Sequence, residues 1–154
     1  MEAYPIRRAT LDDIPSLIAL RQLLFESIVD DQDNIEAMSR HSVQYFQRAI
    51  AHEDLAAWIA LDGAGAVVAS AVLSFYFLPP KPHNIEGKFG YLSSMYVVAQ
   101  HRRKGIARRL LQAVMDYAQE QGVHCVQLHA SKVGKPLYAS VGFAELNEMG
   151  LRLE

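Results

Sequence analysis

Between Leu92 and Ala118 an apolar run, a basic turn with one glycine and an amphipathic helix pattern follow one another, with only Ala99-Gln100-His101 between the first two. Leu92 to Val98 is the run and Arg102-Arg103-Lys104-Gly105-Ile106-Ala107 the turn, after which Ile106, Ala107, Leu110, Leu111, Val114 and Ala118 recur on one helical face. A buried strand that turns through glycine into a helix leaves consecutive N–H groups at the helix start without intrahelical acceptors, pointing outward. Arg102, Arg103, Lys104, Arg108 and Arg109 add cationic side chains to the positive end of the helix dipole. A small anion needs fewer cations, so the pattern implies a strand–turn–helix unit for a ligand carrying a pyrophosphate and a further phosphate.

The rest of the composition narrows the class. With 154 residues, 51% of them hydrophobic, the chain is expected to form one domain over residues 1–154 with a sizeable core. Its formal net charge of -2 argues against general affinity for nucleic acid, and five of its 15 Lys and Arg residues fall in the single basic turn. The N-terminal sequence lacks a cationic region followed by an apolar one, and no apolar stretch approaches the roughly 20 residues that span a bilayer. A cytoplasmic protein with no membrane partner is therefore expected. Cys125, the only cysteine, cannot form an intramolecular disulfide and reads as a small buried hydrophobe. The six histidines show no metal-ligand spacing, so no metal is expected. Neither a serine-hydrolase elbow nor a Gly-x-x-x-x-Gly-Lys phosphate loop is present.

Periodicity orders the elements. Residues 4–8 suit a first strand, Thr10-Leu11-Asp12-Asp13 signals a helix start, and Ile14, Leu17, Ile18, Leu24, Phe25 and Ile28 follow at helical spacing. The acidic stretch from Asp30 to Glu36 reads as an interruption before a second helix near 37–52. Ala56–Leu61 and Val67–Leu78 predict an antiparallel pair joined by Asp62-Gly63-Ala64-Gly65. A Pro-rich loop to about Lys88, a strand over 89–98, the helix from Gly105 to Gln121, a strand over 123–130, a short helix over 136–140 and a last strand from Gly142-Phe143 to about Leu153 complete the chain. Strands and helices in this order predict a mixed α/β fold in which one crossover helix joins parallel strands.

This order, with Arg102-x-x-Gly105-x-Ala107 after the fourth strand and Pro136-Leu137-Tyr138 ahead of Gly142-Phe143, resembles the GCN5-related N-acetyltransferase superfamily over nearly the whole chain. The resemblance implies that family's mixed, mostly antiparallel sheet, splayed between the fourth and fifth strands and flanked by helices. It also implies acetyl-CoA as cosubstrate and a primary amine, on a small molecule or a peptide, as acceptor. Carried over residue by residue, Arg102, Arg103, Lys104, Gly105, Ile106, Ala107 and Arg108 would surround the pyrophosphate, chiefly through backbone N–H groups. Met95, Tyr96 and Val97 would pair with pantetheine as an added strand at a bulge. The Met95 N–H would face the thioester carbonyl, where one aimed donor is worth about 3 kcal/mol. Tyr138 would be the general acid that protonates the departing thiolate.

The sequence departs from the family pattern in places. Ala107 stands for a commoner glycine, Ser131 for an asparagine that touches pantetheine, and Tyr91 for a glutamate base. That leaves Tyr91, Glu86 or a water chain to take the amine proton. The acids Asp30, Asp31 and Asp33 fall where the family's acceptor entrance lies, and would favour a cationic amine. A homodimer follows from family habit. The rival reading, favoured by the missing glutamate, is a non-catalytic acyl-CoA-binding sensor or regulatory module.

Overall fold

The computed structural model describes residues 3–153 and arranges them around one five-stranded sheet in the order β1-β2-β3-β4-β5. The strands are β1 (Ile6–Arg8), β2 (Leu55–Leu61), β3 (Val67–Phe77), β4 (Lys88–Val97) and β5 (Val126–Leu128). The first four pair antiparallel and β5 pairs parallel to β4. Helices α1 (Ile14–Glu26) and α2 (Gln32–Ala51) lie between β1 and β2, α3 (Ile106–Glu120) makes the crossover from β4 to β5, and α4 (Lys135–Ser140) follows β5. No helix among the described residues is long and apolar enough to cross a membrane.

Helices cover both faces of the sheet, which is why β2 and β3 read as continuous apolar runs and not as alternating ones. Period-two geometry sends Ala56, Trp58, Ala60, Ala71 and Leu73 to the face packed by Ile106, Leu110, Leu111 and Val114 of α3. The intervening Leu55, Ala57, Ile59 and Val72 meet Leu17 of α1 and Phe46 of α2 on the other. At the β2–β3 turn, the Asp62 carboxylate accepts from the N–H groups of Ala64 and Ala66, both at 2.9 Å.

Three expectations are corrected. α2 begins at Gln32 and not near residue 37, because Asp31 caps it by accepting from the Asn34 N–H at 3.2 Å. Asp33 adds negative charge to that first turn, where the helix dipole favours it, so the acidic stretch is a helix start and not an interruption. β5 covers only 126–128 of the strand expected over 123–130. The last strand, expected up to Leu153, does not form: no described strand follows α4, and Met149, Leu151 and Leu153 stand 84–97% exposed. Their alternation has the period of a strand, but a strand needs a neighbouring ladder, and this segment pairs with none.

A capping box at Thr10 and Asp13 starts the turn that leads into α1, and Arg7 of β1 holds the Asp13 carboxylate with two hydrogen bonds of 2.8 and 3.0 Å. The Arg7 bonds pull the Asp13 pKa from 3.8 down to about 2 against the cost of its burial. A depressed carboxylate stabilises the fold above its unfolded pKa, and the stabilisation decays as pH falls through the folded one. Urea unfolding midpoints should therefore drop between pH 4 and pH 2 in the native protein. Asp13→Asn should lack that component, a difference of about 1–2 kcal/mol because the Arg7 end of the pair is exposed to solvent screening.

Candidate active site

The segment between β4 and α3 forms a backbone cradle. After Val97 the chain makes one 3-10 turn over Ala99–His101, and Arg103 and Gly105 then take φ of 61° and 79°. Gly105 is the N-cap of α3, and no side chain caps the helix. The first helical bond runs from the Arg109 N–H to the Gly105 carbonyl at 3.2 Å, so the N–H groups of Ile106, Ala107 and Arg108 have no intrahelical acceptor. A Cβ built at Gly105 meets no atom within 4 Å. Glycine is required here by its left-handed backbone, not by crowding within the protein.

The five cations separate in the fold. Arg102 turns back, its Nε donating to the Val97 carbonyl at 2.8 Å and its guanidinium 5.3 Å from the Tyr96 ring centroid. Arg108 donates to the Ser140 hydroxyl at 2.9 Å, tying α3 to α4, and Arg109 donates to the carbonyls of Ala3 and Tyr4. Arg103 and Lys104 stay exposed beside the cradle, with no side-chain hydrogen bond among the described residues. The charge at the cradle is thus narrower than the sequence cluster suggests.

The neighbouring stretch of β4 is opened by two features. Ser70 pairs with Tyr96 but Val72 with Ser93, which leaves Ser94 and Met95 together opposite Ala71. This is a β-bulge, with Ser94 at φ 54° and its carbonyl accepting from the Ser70 hydroxyl at 2.8 Å. On the other side β5 pairs only with Gly90, Tyr91 and Leu92. The edge of β4 from Ser93 to Val97 therefore has no strand partner toward β5, and Met95, Tyr96 and Val97 lie along it.

Tyr138 comes to the same region on α4. The approach to α4 is shaped by Ser131, whose hydroxyl accepts from the Gly134 N–H and whose carbonyl accepts from the Lys135 N–H, both at 3.0 Å. A Cβ at Gly134 would sit 3.2 Å from the Tyr138 ring, so the glycine leaves room for that ring. Tyr138 packs edge-on against Phe143 with centroids 5.8 Å apart. Its hydroxyl makes no hydrogen bond to a described residue, and burial pushes its pKa above the usual 10.0. The phenol is therefore a proton donor with its proton in place at neutral pH.

Two cavities of ligand size meet here. One, of about 540 Å³, is lined by Tyr138, Phe143, Gln127, Leu128 and Tyr91. The other, of about 500 Å³, lies between α1, α2 and the sheet and is lined by Arg21, His41, Tyr45, Ser74, Tyr91 and Ser93 among others. Tyr91 belongs to both walls. Asp30, Asp31 and Asp33 line neither, and all three are exposed around the start of α2. Glu86 lies beside Gly122, its Oε2 3.7 Å from where a Cβ would stand. That is the far end of α3 from Gly105, about 22 Å away along a helix of 15 residues. The structure thus brings Tyr91 to the site and leaves Glu86 and the three aspartates away from it.

Arg21 and His41, absent from the sequence reading, did leave a signal there. Arg21 follows Leu17 by four residues and precedes Leu24 by three, which sets a cation on the apolar stripe of α1. His41 stands three residues after Met38, another wall residue of α2.

Comparison with known proteins agrees with this fold. The model of the acetyltransferase (GNAT) family matches residues 18–145. A crystal structure of a predicted acetyltransferase with acetyl-CoA from Clostridium acetobutylicum is 33% identical, covers 97% of this chain and 95% of its own, and superposes with a TM-score of 0.83. A GCN5-related N-acetyltransferase from Ralstonia eutropha is 27% identical over 97% of both chains, with a TM-score of 0.88. Glucosamine-6-phosphate N-acetyltransferase from Arabidopsis thaliana shares the fold at a TM-score of 0.72 and 18% identity, over 99% of both chains. No curated protein matches the chain. With the family match spanning most of the sequence and the splayed sheet and uncapped α3 in place, the chain belongs to the acetyltransferase (GNAT) family.

Proposed function

We propose that this protein transfers the acetyl group of acetyl-CoA to a primary amine by direct attack, with both substrates bound at once. The observation that carries the reading is the convergence of three features: the uncapped N-terminus of α3, the unpaired edge of β4 and the free Tyr138 hydroxyl. A ligand that is anionic at one end and amide-bearing along its length fits such a surface, and the Clostridium relative was crystallised with acetyl-CoA. Acetyl-CoA supplies the activated acyl group.

The residues of this chain do the rest. The N–H groups of Ile106, Ala107 and Arg108, with Arg103 and Lys104 beside them, hold the pyrophosphate. Met95 and Val97 present backbone groups to pantetheine, and the Met95 N–H faces the carbonyl oxygen on which charge develops. The Tyr138 Oη delivers its proton to the leaving sulfur. The incoming amine loses a proton toward the acceptor cavity, where the His41 imidazole is the wall side chain suited to take it, directly or through water. Holding amine and thioester in line removes about 7–11 kcal/mol of barrier, so a modest base suffices.

Calorimetric titration with CoA and with acetyl-CoA, followed by a thiol-release assay over a panel of amines, tests the reading. Saturable binding with amine-dependent release of CoA is expected. Binding without transfer to any amine would instead make the chain an acyl-CoA sensor, and no binding would overturn the site.

A further inference from the structure

The acceptor cavity between α1, α2 and the sheet contains a cation without a counter-charge. Arg21 is half-buried in its wall, and no carboxylate lies within ion-pair distance of it among the described residues. Its Nη1 donates to the Ser94 hydroxyl at 2.8 Å and its guanidinium lies 5.0 Å from the Phe25 ring centroid. The remaining N–H donors of the fork have no hydrogen bond to a described residue. Burial lowers the pKa of Arg21, a sign that its charge is held away from water, while neighbouring Tyr45 partly offsets this. A dehydrated guanidinium without an anion is costly, and an arriving carboxylate relieves that cost.

The rest of the wall fits the same ligand. Met38, Phe46 and Val72 are apolar, while Tyr45, Ser74, Tyr91 and Ser93 offer neutral hydroxyls. No Asp or Glu lines the cavity, so nothing there attracts a polycation or repels an anion. One guanidinium neutralises one negative charge, the charge of a carboxylate, and its planar fork matches carboxylate geometry. Ser94, which Arg21 touches, is the bulge residue next to Met95, so an anion on the fork lies close to the reacting end of the site.

We infer that the acceptor is an amine carrying a carboxylate, of the amino-acid class, and that Arg21 binds that carboxylate. The inference rests on the acetyl-transfer reading and reverses the expectation of a cationic amine selected by Asp30, Asp31 and Asp33. The competing structural role, in which Arg21 only pins the Ser94 bulge, needs no positive charge, since a hydroxyl is satisfied by a neutral donor.

The test pairs α-amino acids with their α-carboxamides as acceptors in a thiol-release assay with acetyl-CoA. The same compounds are titrated calorimetrically into the protein–CoA complex. The carboxylates are expected to lead their amides by about 10- to 100-fold in kcat/KM or in affinity, as a charged hydrogen-bonded contact gives. Arg21→Gln should erase that lead by raising KM for the acids far more than for the amides, and Arg21→Lys should recover part of it. Equal use of acid and amide by the native protein, or an equal loss for both in Arg21→Gln, overturns the inference, as does the absence of any Arg21-dependent binding. Arg21-dependent carboxylate binding without turnover of any amine would uphold the carboxylate site and reject acetyl transfer, so the two failures are distinguishable.

Discussion

Tyr138→Phe should lower kcat by about 100-fold while leaving acetyl-CoA affinity within about twofold of the native value. The substitution removes one oxygen and keeps the ring, so the edge-on contact with Phe143 and the fit over Gly134 survive. No protein hydrogen bond is lost, because the hydroxyl makes none among the described residues, and thermal stability should change little. The separation of kcat from affinity is the signature of a group that acts on the leaving sulfur and not on ground-state binding. The pH dependence follows from the same environment. Burial raises the phenol above its usual 10.0, and in the proposed role the acid form is the active one, so activity should be lost only as pH rises through that raised value. A pH–rate profile of the native protein should show no alkaline limb from this residue below pH 10. Normal turnover in the phenylalanine variant would remove Tyr138 from the mechanism.

Gly105→Val should weaken CoA binding by about 10- to 100-fold, the loss expected when backbone strain and a displaced helix start act together. The φ of 79° at this residue is costly for a β-branched side chain, and a branched chain also projects into the open space ahead of α3. Strain alone does not explain a binding loss, and a second glycine separates the effects. Gly65, in the β2–β3 turn, has a similar φ of 85° and equally open surroundings, but lies outside the site. Gly65→Val should lower the melting temperature by a comparable amount and bind CoA normally, as measured by calorimetry on both variants. Equal affinity in the two would place the pyrophosphate elsewhere.

Much of this site was legible along the chain. Gly105 between an apolar run and an amphipathic stripe announces an uncapped helix start, because a left-handed residue and a 3.6-residue period are local properties. Pro136-Leu137-Tyr138 likewise announced the short helix that carries the phenol. The bulge at Ser94 and Met95 was expected from the family resemblance alone, since nothing in Leu92 to Val98 marks where a strand gains an extra residue.

Local pattern therefore determined most of the elements, the uncapped start of α3 and the short helix that carries Tyr138. Only the tertiary structure decided where each charged side chain ends and what it contacts. Five clustered cations dispersed to the Val97 carbonyl, to Ser140, to the N-terminal segment and to the cradle, while Asp31 and Asp33 served α2. Glu86, five residues from Tyr91 in sequence, ended beside Gly122, and Arg21, 73 residues from Ser94, reached its hydroxyl. The physical reason is range. Helix and turn propensities are settled by residues within one or two turns, whereas the partner of a long charged side chain is set by the packing of elements far apart in sequence.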